Sequence, residues 1–270
     1  CGPGEHPDRT SAAVIFMANA RAKILAVLLL VAPFTVHAQS DVEKTRALFG
    51  GAWNRYPEPG ENPDPKFPPA PAIPQPPLKP EHLAAWQERQ KKTREAEARG
   101  EPVYTHYAAC IPDGMPSMMM AMFPMEVLQT PGQITIIQEA YNQVRRIWLD
   151  QKQLPIEEAE PGFWGHSVGR WEGDTLVVDT VGIKEHVRFR DTPHSNQMRI
   201  SERMRMISPD MFQNEVTIND PVYLTGPWTF TYMYKRRPGY KLYEYVCEDN
   251  REFVDPDTGA QRMRFSNQAE

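Results

Sequence analysis

Gly165-His166-Ser167-Val168-Gly169 spells G-x-S-x-G, the pattern that surrounds the nucleophile of many serine hydrolases. In such an elbow a strained turn between a strand and a helix lifts the serine hydroxyl above a parallel sheet. A histidine and an acid then activate it. Chain order could supply Ser167, Asp179 and His194. The residues after the serine argue against this chemistry. Glu172-Gly173-Asp174 is a turn, and Thr175-Leu176-Val177-Val178 is apolar and mostly β-branched, so a strand stands where an elbow needs a helix. In context the motif is the start of a strand and hairpin, with glycines where backbones approach closely.

Acid–base or binding chemistry has better candidates. If residues 200–206 form a strand, alternation puts Glu202 on one face with Ile200, Met204 and Met206, and Ser201, Arg203 and Arg205 on the other. By the same rule Arg146 shares a face with Val144 and Trp148, and Glu244 shares one with Leu242 and Val246. A carboxylate and a guanidinium on buried faces must pair, because an unpaired buried charge is too costly. Two readings stay open. One is a structural Arg–Glu pair across a core. The other is a set of anchors and acid–base groups in a ligand cavity, where an inward Glu left partly unpaired would have its pKa raised by desolvation. His166 and His194 lie in loops beside strand ends, with His186 nearby in sequence and His106 further off.

The candidate catalytic residues, should the chain be an enzyme, are therefore His166, His194 and Glu202. The candidate ligand-binding residues are Arg146, Trp148, Ser167, Trp228 and Glu244. Trp228, Phe230, Tyr232 and Tyr234 share one strand face, which either fills a core or lines a pocket for a planar apolar molecule. The chain has no H-x-H, H-E-x-x-H or C-x-x-C, so no metal and no cofactor is expected. Met115, Met118, Met119, Met120, Met122 and Met125 make a run without histidines. It reads as a flexible apolar plug in preference to a copper site.

These residues need elements to position them. Residues 57–80 carry eleven of the chain's 27 prolines, a density that forbids helix and central strand and predicts an extended strap. Residues 80–99 then predict one helix, with Pro80 at its start and Gly100 at its stop. Only its first turns carry apolar residues (Leu83, Ala84, Trp86), so it should dock by that end. Beyond residue 123 the pattern is β: strands are expected over 126–128, 134–139, 143–150, 168–172, 175–180, 198–207, 214–219, 228–235 and 241–248. A further G-x-W at Gly51-Ala52-Trp53 could open a first strand. Short strands at regular spacing with tight turns predict an all-β fold, an antiparallel meander closed into a barrel, since closure removes exposed edges.

Blocks of this barrel segment resemble a family of secreted bacterial proteins of unassigned function. They are Cys110-Ile111-Pro112-Asp113-Gly114-Met115-Pro116, Gln129-Thr130-Pro131, the hairpin Gly165-His166-Ser167 through Val178-Asp179-Thr180, and Glu244-Tyr245-Val246-Cys247-Glu248. The strand pattern is also similar to calycin and lipocalin barrels. The resemblance implies a secreted β-rich protein and carries no activity with it. Ser117 and Asn196 depart from the family's pattern, which has Arg at the first position and an acidic residue at the second.

Charge and targeting signals bound the partners. The 270 residues carry a formal net charge of −5, which gives no basic footprint for nucleic acid. From Met17 the chain reads as a secretory leader: Arg21 and Lys23 are its basic part, residues 24–31 its apolar part, and Val36-His37-Ala38 its cleavage site. The apolar run is short for a bilayer span, so no stable membrane insertion is expected. Cys110 and Cys247 would form a disulfide in a periplasmic or secreted location. The expected organisation is a spurious extension (1–16), a leader (17–38), the strap and helix (39–109), the barrel (110–250) and a polar tail (251–270). The leading expectation is an exported barrel that binds a small apolar or aromatic molecule in its interior. The alternatives are an exported acid–base enzyme (lyase, isomerase or hydrolase) and a structural cell-envelope protein without a pocket. Oligomeric state is not legible.

Overall fold

A computed structural model describes residues 42–101, 110–120, 123–247, 253–254 and 261–262. The expected leader, the segment before it, most of the tail, His106, Met122 and Glu248 lie outside the described residues. Nine strands close into one barrel in chain order: β1 (Gly51–Arg55), β2 (Met125–Thr130), β3 (Gln133–Gln138), β4 (Gln143–Leu149), β5 (His166–Glu172), β6 (Thr175–Val181), β7 (Arg199–Ser208), β8 (Met211–Asn219) and β9 (Trp228–Arg236). The fold is all-β, as the strand pattern predicts. A separate two-stranded pair joins β10 (Phe253–Val254) to β11 (Gln261–Arg262).

Two details differ from a plain antiparallel meander. β4 and β5 run parallel, with Ile147 opposite Ser167, because residues 150–165 carry the chain back to the end it left. The barrel is closed by β1, which pairs with β2 on one side and β9 on the other. Residues 241–247 form no strand. Their alternation is ambiguous, with Leu242 and Val246 on one phase and Tyr243 and Tyr245 on the other, and Tyr243 is 70% exposed. The segment instead lies against the turn after β3: Tyr240 Oη and the Tyr243 amide both donate to Glu139, and Cys247 is bonded to Cys110.

The inward faces obey the period-two rule. Val127, Ile134, Ile136, Ile147, Leu176, Val178, Met204, Phe212 and Val216 are buried, and Trp53 packs edge-on against Phe212, which stacks on Tyr234. Besides a short helix over residues 42–47, the described residues form the helices α1 (Pro80–Ala98) and α2 (Ser117–Met120) outside the wall. α1 buries no residue, as its composition predicts. It is held where Trp86 Nε1 donates to the Arg190 carbonyl (3.3 Å) and Arg89 pairs with Asp191 (3.0 Å). The proline strap runs along the barrel mouth. Trp228 Nε1 donates to the Pro74 carbonyl, the Thr225 amide to that of Pro77, and Leu78 bridges Leu224. α2 plugs the same mouth with Met118 and Met119 buried, which is the apolar role expected of the methionine run. Gln138 Nε2 and Tyr234 Oη fasten it by donating to the Met118 and Met119 carbonyls.

Candidate functional site

The G-x-S-x-G residues open β5: Gly165 immediately precedes the strand and residues 166–169 begin it. Gly165 has φ +62°, and a Cβ there would sit 2.5 Å from the Val181 carbonyl oxygen. Gly169 meets β4 so closely that a Cβ would lie 2.7 Å from Ile147 Cγ2. Between them Ser167 points into the barrel, where its Oγ accepts from Arg145 Nε (3.2 Å) and bonds Thr180 Oγ1 (2.8 Å). No histidine bonds it among the described residues. Asp179 is on the opposite face of the wall, paired with Arg170 and accepting from Ser201. The hydrolase arrangement does not form.

A polar layer forms instead across the middle of the barrel. Arg145 on β4 and Glu202 on β7 make a bidentate ion pair, with both side chains fully buried. Arg145 Nη2 also donates to Thr180 Oγ1 (3.1 Å), and Asn214 Nδ2 donates to Glu202 Oε1 (2.8 Å). Five strands, β4 to β8, each place one side chain in this layer. The guanidinium spends its Nε and both terminal nitrogens on it. Both Glu202 oxygens are engaged, Oε1 by Arg145 and Asn214 and Oε2 by Arg145, so the carboxylate is committed to this layer. The alternation rule places Glu202 correctly and Arg146 wrongly. Arg146 and Trp148 face outward, exposed and half-buried respectively, while Gln143, Arg145 and Ile147 face in. The strand offers apolar residues on both phases and arginines on both, and the partner that selects Arg145 lies three strands away. Thr180 and Asn214 were equally hidden, being ordinary polar residues whose inward phase is their only signal.

The other candidates are scattered. Glu244 is exposed in the irregular segment after β9, outside the barrel. His166 is half-buried on the outer side of β5, its Nδ1 2.7 Å from Gln153 Oε1, and burial lowers its pKa. His194 is buried at the mouth, with Nδ1 3.0 Å from the Ser195 carbonyl and Nε2 2.7 Å from that of Val187. No hydrogen bond joins His194 to Glu202. Among the described residues no three His, Cys, Asp or Glu side chains gather as a metal site, and no helix is long and apolar enough to cross a membrane.

At the mouth the interior turns apolar. Phe189 packs on Trp228 and Phe230 at ring distances of 5.2 and 5.0 Å. Phe189 and Trp228, with Met115, Met198, Ile218 and Leu224, surround a cavity of about 10 Å³, edged by His194 and Asp220. Asp220 is committed to structure: it accepts from the Ser195, Val222 and Tyr223 amides. Of the candidates read from sequence, Trp228 and His194 alone meet at this cavity.

No protein-family model matches this chain, and a search of curated proteins finds no match either, so its site is interpreted from its own chemistry.

Proposed function

We propose that this chain is an exported barrel protein that binds a small apolar or aromatic molecule at the mouth of its barrel. The observation that carries the reading is the pair of rings Phe189 and Trp228, backed by Phe230, beside a cavity walled in part by Met115 and Met198. As folded, the cavity has room for about one water. A larger guest enters by displacing Met115 and Met198, whose unbranched side chains repack readily. Deeper entry is blocked by the Arg145–Glu202 layer, which favours binding over acid–base catalysis. The leader-like residues 17–38 and the disulfide support a location outside the cytoplasm.

Native mass spectrometry of protein purified from the periplasm tests the proposal, together with titration of the neutral probe N-phenyl-1-naphthylamine. A co-purifying small molecule is expected, as is probe binding that strengthens in Met198→Ala and is lost in Ile218→Trp. A bare mass, with no probe binding by wild type or Met198→Ala, would instead establish the structural barrel without a pocket. The closed polar layer is the observation in that second reading's favour.

A further inference from the structure

A second cleft lies on the other side of the turn that carries Phe189. β1 pairs with β9 only from Tyr234 to Arg236. After Arg55 the chain leaves the wall, its last link being the Tyr56 amide to the Met233 carbonyl at 2.7 Å. The first half of β9 is thus unpaired on that edge. The seam is roofed by the strap (residues 69–73) and flanked by Met120, leaving a cleft of about 490 Å³. That is the size of a small-molecule site.

The charged groups around this cleft are of one kind. Among the described residues Arg55 and Arg190 line it, and no carboxylate does. Arg55 has only a 3.5 Å contact to the Met120 carbonyl, and no hydrogen bond or ion pair among the described residues engages the Arg190 side chain. Arg190 is held in the left-handed region (φ +50°) while its carbonyl takes the Trp86 indole, so its backbone position is fixed. The adjoining groove along α1 adds Arg94 and Lys91, the latter paired with Glu95 at 3.9 Å. On a chain of net charge −5 this is a local concentration of positive charge. Tyr232 also lines the cleft. Its hydroxyl is buried and has no hydrogen-bond partner among the described residues, an arrangement that costs stability unless something accepts from it. Burial holds this phenol protonated well above the usual range, Tyr234 and Glu202 inside the barrel act in the same sense, and Arg55 and Arg190 act in the opposite one. It is a donor beside two cations.

We propose that the seam cleft binds a small organic anion with an apolar body, its carboxylate or phosphate group held by Arg55 and Arg190 and accepting from the Tyr232 hydroxyl. The prolines, Ile73 and Met120 supply the apolar wall, and two guanidiniums with a neutral donor suit an oxyanion. This site is separate from the mouth cavity and its chemistry is different, so either proposal stands or falls without the other.

Calorimetric titration of the mature chain with benzoate, phenyl phosphate and the neutral analogue benzamide tests it. Both anions are compared, because carboxylate and phosphate share the chemistry and the tighter one identifies the source. At least one anion should bind, weaken with added salt, and exceed benzamide by roughly ten-fold or more, the worth of one charge-assisted contact. Arg55→Gln and Arg190→Gln, both at exposed side chains, should each weaken it by roughly ten-fold or more with an unchanged thermal midpoint. Tyr232→Phe should weaken it several-fold without lowering the midpoint, since it also removes an unsatisfied buried hydroxyl. Equal binding of anions and benzamide, or wild-type affinity in any of the three variants, would overturn the proposal.

Discussion

Arg145 and Glu202 meet across the barrel interior from strands that are not neighbours, β4 and β7, with neither side chain exposed to solvent. The pair fixes the distance between opposite walls, and Ser167, Thr180 and Asn214 complete its hydrogen bonds. Taking two charges out of water consumes most of the attraction between them. Their worth is therefore conditional on both being present. Arg145→Met or Glu202→Met should each lower unfolding free energy by about 3–5 kcal/mol, because the remaining group is left without its counter-charge. The double variant Arg145→Met/Glu202→Met should recover most of that loss. Urea denaturation of the four proteins closes the cycle. A double variant as unstable as the sum of the singles would contradict this account.

The G-x-S-x-G segment gives a second, opposite pair of expectations. Gly169→Ala forces a methyl into Ile147 and should destabilise the barrel by about 1–3 kcal/mol, the usual cost of overpacking. Ser167→Ala removes a hydroxyl that bonds Arg145 and Thr180, and should cost about 1 kcal/mol. Neither wild type nor Ser167→Ala should hydrolyse p-nitrophenyl esters faster than buffer. Serine-dependent turnover would reinstate the nucleophile.

The barrel was legible because period-two patterning repeats in strand after strand, so one misplaced segment does not change the class. The face of Glu202 was legible for the same reason, with Ile200, Met204 and Met206 agreeing on one phase. The face of β4 was not, since Gln143-Val144-Arg145-Arg146-Ile147-Trp148 supports either phase and the deciding contact is to Glu202, far along the chain. The strand expected over 241–248 fails through a similar ambiguity, whereas the G-x-W at Gly51 does open the first strand, which closes the barrel. Gly51-Ala52-Trp53 is a weak local signal, and only the buried seat of Trp53 against Phe212 distinguishes it from the more strand-like residues 241–247. The seam cleft had no sequence signal at all. It arises because β1 is short, and Arg55, Arg190 and Tyr232 come together only through closure.

His166 ties the crossover to β5 and gives the fold a pH dependence of known sign. Burial lowers its pKa below the ordinary 6.5, so the unfolded chain takes up a proton that the folded chain resists. The stability it contributes is complete above about pH 6.5 and is lost as pH falls through the folded value. Urea midpoints measured from pH 8 to pH 5 should fall more steeply for wild type than for His166→Gln. Parallel curves would show that another group controls the acid limb.

The Cys110–Cys247 bridge closes a separation of 137 residues and joins the chain just before the plug to the segment after β9. In the chain-entropy account a loop of that length stabilises by at most about 5 kcal/mol, through its restriction of the unfolded state. Beside the bridge, Glu139 accepts from Tyr240 and Tyr243, Asn142 donates to the Tyr245 carbonyl, and the Tyr245 ring packs on Phe123 and Tyr141. Two effects should therefore separate in Cys110→Ser/Cys247→Ser. The urea midpoint should fall, because the unfolded chain regains its freedom. Under native conditions trypsin should cut at Lys241 sooner than in wild type, while the β1–β9 barrel stays protected, because every barrel strand retains its pairing without the bridge. Cleavage at equal rates in the two proteins would mean that contacts other than the disulfide hold this segment in place.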